Sequence, residues 1–195
     1  HNLKEVRGIK NRSNHLKLFK LCSKLMMQIV EGNKPVIAKV HGAAYAAGCQ
    51  LAASCDLAYS TNSATFATPG VKIGLFCSTP MVAVSRKISR KRMMEMLLTG
   101  DPISAKYAKE IGLINDHYSP KTLNKKVLDI AKKISSKSNL TIKIGKKAFY
   151  KQLEMPLGKA YDYTSKMMTL NMSSYDAKEG ISAFIEKRNP SWKNK

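Results

Sequence analysis

Hydrophobic residues recur at helical spacing along residues 16–31. The positions that carry them are Leu16, Phe19, Leu21, Leu25, Met26, Ile29 and Val30. This spacing predicts an amphipathic helix that ends at Gly32. The apolar run 35–40 then predicts a buried strand, and a second short apolar run near 57–60 predicts another.

The run HGAAYAAGCQLAASC covers residues 41–55. Its small residues separate the predicted strand at 35–40 from a short predicted helix that begins at Gly48. Small residues let backbone N–H groups approach a ligand closely, and a helix N-terminus presents such donors with a favourable dipole. This arrangement suits an oxyanion better than a bulky hydrophobic ligand. Many turns of this kind serve only close packing, so that alternative stays open at this point.

From residue 80 onward the pattern predicts helices almost throughout. Breaks are expected at 100–102, at Gly112 and at 119–120, and Pro156 and Gly158 are expected to separate two later helices. The sequence therefore predicts strands and helices first and a helical region afterwards.

The amino-acid composition limits the classes of function that the chain can have. The 195 residues form one domain of ordinary size, and the formal net charge is +21. Lysines are spread over helical segments instead of forming a concentrated patch with interleaved aromatic residues, and aromatic residues make up only 7%. The charge therefore indicates a solvated lysine-rich surface, and nucleic acid is not the expected partner. No apolar run is long enough to span a bilayer, so no membrane partner is expected either.

Four cysteines (Cys22, Cys49, Cys55 and Cys77) show no CxxC pair and no metal-ligand spacing. Their pattern favours a reducing intracellular compartment and gives no reason to expect a metal.

Three further segments follow the small-residue run in a characteristic order. They are FATPGVKIGL (66–75), MMEMLLTGDPISAKYAKEIGLIN (93–115) and SAFIEKRNPSW (182–192). Together with the run at 41–55, they resemble the crotonase superfamily, also called the enoyl-CoA hydratase/isomerase family. The resemblance extends from residue 1 to about residue 192.

The resemblance implies an α/β fold, the crotonase (ClpP-like) spiral of ββα turns followed by a C-terminal helical region through which subunits form trimers or dimers of trimers. Residues 1–80 would form part of the spiral core with its oxyanion hole. Residues 81–195 would be the helical region that mediates oligomerisation and closes over coenzyme A, within a single structural domain. Family strands that precede residue 1, and any targeting segment before them, are expected to be missing from this chain. A mitochondrial setting in fatty-acid metabolism is implied as well.

The same resemblance assigns site residues. Two backbone N–H groups that polarise the thioester carbonyl of an acyl-CoA correspond to His1 and Ala47. The His1 side chain would either titrate usefully or cap the pocket. Contacts with coenzyme A correspond to Lys4, Phe184 and Lys187, since ammonium groups suit phosphates and an aromatic face suits adenine.

The chain departs from the family at both proton-transferring glutamates, because Gln50 and Gly70 stand at those positions. Neither residue can act as a base near neutral pH. Gln50 could hold a water through its amide, and Gly70 is expected to leave room where a carboxylate would lie. Two-glutamate hydration and single-base isomerisation are both disfavoured.

Gly48 and the segment Cys77-Ser78-Thr79 are expected to line the acyl pocket. Cys77, near a predicted helix N-terminus, could be nucleophilic. Ser78 or Thr79 could bind an acyl carboxylate or, as the commoner use, cap the helix.

Three hypotheses follow. In the first, the chain is a lyase-class acyl-CoA enzyme, either a weak hydratase or a decarboxylase of malonyl-type thioesters that needs no base. In the second, it is a catalytically silent acyl-CoA-binding protein. In the third, it is an RNA-binding homologue. Coenzyme A would enter as part of the substrate, with no covalently bound cofactor.

Overall fold

The structure is a computed structural model and describes residues 2–195. Within this range the chain divides into two compact units, one formed by residues 2–30 and 36–127 and the other by residues 31–35 and 128–195. None of the helices in the described range is both long enough and apolar enough to cross a bilayer. The boundary expected near residue 80 remains a prediction.

The helices in chain order are α1 (Leu3–Gly8), α2 (Arg12–Glu31), α3 (Ala47–Ser54), α4 (Ser78–Val84), α5 (Arg90–Thr99), α6 (Ala105–Glu110), α7 (Pro120–Ser135), α8 (Asn139–Gln152), α9 (Leu157–Met172) and α10 (Tyr175–Ile185), with a 3-10 helix at Pro69–Ile73. The strands are β1 (Ile37–Val40), β2 (Ala43–Tyr45), β3 (Leu57–Thr61), β4 (Thr65–Ala67), β5 (Ile103–Ser104) and β6 (Asp116–Tyr118).

Two three-stranded sheets form in the first unit. One has the order β1-β3-β6 with parallel pairs, in which Ile37 lies opposite Leu57. The other has the order β2-β4-β5, in which β2 and β4 are parallel with Tyr45 opposite Ala67, and β5 is antiparallel. Parallel strands place their carboxyl ends at the same edge of a sheet, so the residues after β2 and after β4 lie close together.

The amphipathic helix at 16–31 and the strands near 35–40 and 57–60 are confirmed as α2, β1 and β3. The expectation of helix almost throughout after residue 80 is wrong at β5 and β6. These strands have only two and three residues and form by pairing with β4 and β3, so the local pattern carries little signal for them.

The glycine breaks are confirmed at Gly100 and Gly112, which have φ of 65° and 83°. Glycine adopts this left-handed backbone without the steric cost of a side chain, and it therefore ends helices. Gly158 instead lies inside α9, and the chain between α8 and α9 ends at Pro156, the N-cap of α9.

The core of the first unit lies around α3, which packs closely on α4. Its small side chains Ala52 and Ala53 are almost fully buried, as are Phe66, Val84 and Leu97. Small residues on α3 allow the neighbouring backbone to approach, and this close packing fixes the position of the helix N-terminus.

In the second unit, a buried carboxylate holds the C-terminal segment. Asp176 on α10 accepts hydrogen bonds from the Ser138 hydroxyl and from the amides of Lys193 and Asn194. Burial alone would raise the pKa of Asp176, but these three donors hold it below its usual value. The Trp192 indole lies over Gly180 and donates to the Ser136 carbonyl at 2.9 Å.

Candidate functional site

The turn between β2 and α3 is strained at Ala46. Its φ is 47° and its ψ is −113°, which is the geometry of the first central residue of a type II′ turn, a position that glycine normally occupies. The conformation is held on both sides, since the Ala46 amide donates to the Ala67 carbonyl at 2.9 Å and the Ala46 carbonyl accepts from the Gln50 amide at 3.0 Å. A non-glycine residue in such a region costs about 1–3 kcal/mol, and such strain is concentrated at functional sites.

Helix α3 therefore begins at Ala47, one residue earlier than the sequence predicts. Within residues 2–195, no protein group accepts a hydrogen bond from the Ala47 or Gly48 amides. Helix N-terminal amides carry a partial positive charge and bind anions or polarised oxygens. Ala46 has no side-chain cap that would satisfy them.

Ala47 and Gly48 open onto a cleft of about 710 Å³ in the first unit. Its other lining residues come from α2 and from the next turn of α3: Leu18, Leu21, Cys22, Lys24, Leu25, Met26, Gln28 and Leu51. Most of this wall is apolar, and Leu21 remains 67% exposed although it is a leucine. Among the described residues that line the cleft, Lys24 has the one charged side chain. The cleft can hold an apolar chain with an electronegative atom at the α3 N-terminus.

The contribution of α2 to this cleft is the part of the site that sequence reasoning missed. Exposed apolar residues on an otherwise polar helix, such as Leu21 and Leu25, were the available signal.

Gln50 lies in the first turn of α3 and is only 4% exposed. Its side-chain Oε1 accepts a hydrogen bond from the Cys22 thiol, with a sulfur–oxygen distance of 3.8 Å. Gln50 therefore reaches the wall of the cleft, where it is a hydrogen-bonding group and not a base.

The position of Gly70 is crowded, and the expectation that it leaves room for a carboxylate is wrong. An ideal Cβ on Gly70 would lie 2.9 Å from the Leu75 carbonyl oxygen and 3.0 Å from Cys77 Sγ. The Gly70 amide donates to that sulfur at 3.3 Å, and the Leu75 amide donates to the Gly70 carbonyl at 3.0 Å. The chain folds back over residue 70 and fills the space of a side chain.

Two further buried groups lie near this point. Cys49 is fully buried, and burial raises the pKa of its thiol to about 12, with a smaller contribution from Cys77. Thr68 Oγ1 is the one buried side-chain oxygen or nitrogen in the described chain without a hydrogen-bond partner. Thr68 follows Ala67, whose carbonyl accepts the Ala46 amide, so an unsatisfied hydroxyl lies one residue from the contact that holds the strained turn.

The capping expected of Ser78 or Thr79 is wrong. Cys77 is the N-cap residue of α4 and makes no side-chain capping bond, while Ser78 and Thr79 already lie in the helix. The Ser78 hydroxyl contacts the Phe76 carbonyl at 3.4 Å. None of these three residues belongs to the lining of the cleft, and their role in binding an acyl group remains a prediction.

The remaining assigned residues are spread over both units. His1 lies outside the described residues. Lys4 is exposed on α1, where its amide donates to Asn2. Phe184, 85% exposed, lies near the end of α10, and Lys187 follows it with φ of 54° in the second unit. Their proposed contacts with coenzyme A remain predictions.

A sequence model of the enoyl-CoA hydratase/isomerase family matches residues 3–195. Together with the free α3 amides and the apolar cleft, this match defines the class of protein. The chain belongs to the enoyl-CoA hydratase/isomerase family and has the crotonase fold.

Within the family, the chain is similar to enoyl-CoA hydratase domain-containing protein 3, mitochondrial. It is 48% identical to the Rattus norvegicus protein over 192 residues, which cover 98% of this chain and 64% of the relative. The Homo sapiens protein is also 48% identical, with 98% and 63% covered. The chain thus spans a little under two thirds of the length of these curated relatives.

Solved structures agree with this placement. The crystal structure of human enoyl coenzyme A hydratase domain-containing protein 3 superposes with a TM-score of 0.96 at 48% identity, covering 98% of this chain and 76% of that one. An enoyl-CoA hydratase from Mycobacterium smegmatis gives a TM-score of 0.97 at 46% identity, with 98% and 75% covered.

Proposed function

We propose that the protein binds acyl-CoA thioesters in the cleft between α2 and α3 and stabilises a thioester enolate without acting as a two-glutamate hydratase. The observation that carries the proposal is the pair of unpartnered amides at Ala47 and Gly48, held at the mouth of an apolar cleft by the strained Ala46. Family membership supports the ligand class.

The thioester carbonyl oxygen would accept a hydrogen bond from the Ala47 amide. Negative charge that develops on this oxygen is stabilised by a donor that is already in place and needs no reorganisation. In other oxyanion holes one such donor contributes a factor of roughly 10²–10³ in rate. Leu21, Leu25 and Leu51 offer an apolar surface to the acyl chain or the pantetheine, and Lys24 offers a cation to a phosphate.

Hydration needs a base to activate water, and none of the described residues that line the cleft is Asp, Glu or His. Gln50 accepts and donates hydrogen bonds but does not take up a proton near neutral pH. At Gly70, the contacts with Leu75 and Cys77 leave no room for a carboxylate side chain. Any turnover would be of the lyase class and would depend on the oxyanion hole alone, as in decarboxylation of a malonyl-type thioester.

The biological setting follows from the relatives. The Rattus norvegicus and Homo sapiens relatives are named as mitochondrial proteins, and we place this protein in mitochondrial fatty-acid and acyl-CoA metabolism on that basis. Assembly as a trimer or a dimer of trimers belongs to the same proposal. Exposed apolar side chains on the second unit, including Leu157, Phe184 and Ile185, offer a surface for such assembly.

The test begins with calorimetric titration of crotonyl-CoA, with free coenzyme A as the comparison. Loss of the conjugated thioester absorbance then measures hydration. We expect crotonyl-CoA to bind more tightly than coenzyme A, with no hydration above the uncatalysed rate. Absence of thioester binding, or hydration at a rate typical of hydratases, would overturn the proposal.

A pair of variants sharpens this test. Gln50→Glu places one carboxylate in the first turn of α3, whereas Gln28→Glu makes the same chemical change at a residue of α2 that lines the cleft. We expect measurable hydration from Gln50→Glu and none from Gln28→Glu. Equal activity in the two variants would show that the position of Gln50 has no special relation to the bound double bond.

A further inference from the structure

Helix α2 leaves most of its surface exposed. Of its twenty residues, all of which the structure describes, only Met26 is buried. Leu16, Leu21, Leu25 and Met27 are between 48% and 67% exposed. Several large apolar side chains that face water on one helix indicate a surface that contacts a partner.

The same helix is strongly basic. Residues 6–30 contain six cationic side chains and no Asp or Glu. Three of the six, Lys17, Lys20 and Lys24, are exposed and follow the i, i+3, i+7 spacing that places them in one stripe along a helix. Within residues 2–195, none of their ammonium groups pairs with a carboxylate. The positive charge of this stripe is therefore not neutralised by the protein.

The exposed apolar side chains lie on both sides of the lysine stripe. With about 3.6 residues per turn, Leu16 and Met27 fall on one side of the lysines, and Leu21 and Leu25 fall on the other. We call these seven residues the α2 face: Leu16, Lys17, Lys20, Leu21, Lys24, Leu25 and Met27. The α2 face presents ammonium groups between apolar flanks along about 16 Å of helix.

This combination fits a lipid surface better than a protein or a nucleic acid. The cores of protein interfaces are enriched in Tyr, Trp and Arg and depleted of Lys, whereas residues 16–28 contain three lysines and none of those enriched types. A nucleic-acid backbone pairs with ammonium groups but gives apolar flanks no favourable contact. At a bilayer surface, lysine ammonium groups meet lipid phosphates while leucine side chains enter the boundary of the acyl region.

We propose that the α2 face binds the surface of a bilayer that contains anionic phospholipids. The expectation of no membrane partner rests on the absence of a spanning run, and a helix that lies in the interface needs none. Leu21 and Leu25 also line the cleft, so the bound bilayer lies beside the mouth of the cleft. The inference goes beyond the proposed function and does not depend on it, because it rests on the surface of α2 alone.

Flotation of the full chain with lipid vesicles tests the inference. We expect binding to vesicles of phosphatidylcholine mixed with phosphatidylglycerol and no binding to vesicles of phosphatidylcholine alone. Binding should weaken as salt is added, because salt screens the attraction between lysines and lipid phosphates. Absence of binding to the anionic vesicles, or equal binding to both kinds, would overturn the inference.

The net charge of +21 attracts anionic lipid to the whole protein, so a matched pair of variants assigns the contact. Lys17→Gln/Lys20→Gln and Lys132→Gln/Lys133→Gln each remove two exposed lysines from one helix. Each lysine near an anionic surface contributes roughly a fivefold gain in affinity, so we expect a roughly twenty-five-fold loss from the α2 pair and little change from the α7 pair. Equal losses would show that the total charge, and not the α2 face, causes binding.

The variants Leu16→Gln and Leu98→Gln test the apolar flanks in the same way, since both leucines are exposed on helices of the first unit. Leu16→Gln should weaken vesicle binding several-fold, and Leu98→Gln should leave it unchanged. Binding by Leu16→Gln at the wild-type level would contradict contact between the apolar flank and the bilayer.

Two further outcomes would identify a different occupant of the α2 face and refute the inference. A smaller sedimentation coefficient of Leu16→Gln without lipid would show that a second copy of the chain covers the face. Retention on immobilised poly(U) RNA that needs Lys17 and Lys20, together with vesicle binding that does not, would assign these lysines to a nucleic acid.

Discussion

Substitution of Gly70 by alanine tests the finding that the position of the second family glutamate is closed. The added Cβ would lie 2.9 Å from the Leu75 carbonyl oxygen, whereas ordinary contact begins at 3.4 Å, so the neighbour must move by 0.5 Å. That neighbour is backbone and is tied to residue 70 by the 3.0 Å hydrogen bond from the Leu75 amide. Overpacking of this kind costs about 1–3 kcal/mol.

Urea unfolding followed by circular dichroism measures the effect. With a denaturant slope of about 2 kcal/mol per molar, the midpoint of Gly70→Ala should fall by about 0.5–1.5 M. Gly42→Ala is the matched control, because a Cβ on Gly42 meets nothing within 4 Å in the same unit. Its midpoint should stay the same or rise, since alanine reduces the entropy of the unfolded chain. Equal midpoints for the two variants would refute the argument.

A double-mutant cycle with Cys77→Ala locates the clash. Removing the sulfur eliminates one of the two closest contacts of the new Cβ but leaves the Leu75 oxygen in place. The cost of Gly70→Ala should therefore be smaller, but not zero, when Cys77 is alanine. Strict additivity of the two substitutions would show that the sulfur does not limit the space at residue 70.

Three further predictions concern other parts of the molecule. Ala46→Gly should stabilise the protein by about 1 kcal/mol, measured as a higher urea midpoint, because glycine adopts the strained turn without its steric cost; a lower midpoint would contradict this. The Arg188 guanidinium holds the pKa of Glu179 at about 2, below its ordinary 4.5. The ionised Glu179 carboxylate therefore stabilises the fold above about pH 4.5, and this stabilisation is lost as the pH falls toward 2. Fluorescence of the single tryptophan, Trp192, should report release of the C-terminal segment in that range, and a spectrum unchanged down to pH 2 would argue against it. Cys49, with its pKa raised to about 12 by burial, should resist maleimide at pH 8 until urea is added, and rapid labelling of the folded protein would show that it is accessible.

Much of the fold could be predicted from sequence because its signals are local. The apolar periodicity of α2, the apolar runs of β1 and β3, and the left-handed glycines at 100 and 112 each depend on a few neighbouring residues. Strands β5 and β6 were missed because two or three residues become a strand only through pairing with distant partners.

The site was predictable in part, for the same reason. The α3 N-terminus is visible in a short run of small residues, whereas the wall of the cleft on α2 depends on how two helices meet. The space at Gly70 was predicted wrongly because backbone and side-chain atoms of Leu75 and Cys77 fill it. The chain reversal that brings these residues to Gly70 cannot be recognised from the residue types. Strain at Ala46 is likewise absent from the sequence, since alanine gives no sign of a glycine conformation.

The central claim is that the Ala47 amide polarises the thioester carbonyl of a bound acyl-CoA. An isotope-edited infrared spectrum of bound crotonyl-CoA, with the label in the thioester carbonyl, measures this directly. Two variants accompany it: Ala46→Gly keeps the amide donor, and Ala46→Gly/Ala47→Pro removes it at the first helical position, where proline is tolerated. We expect a carbonyl band shifted to lower frequency in the wild-type protein and in Ala46→Gly, with the shift reduced when proline replaces Ala47. An unshifted band in the wild-type protein, or the same shift without the amide, would contradict it.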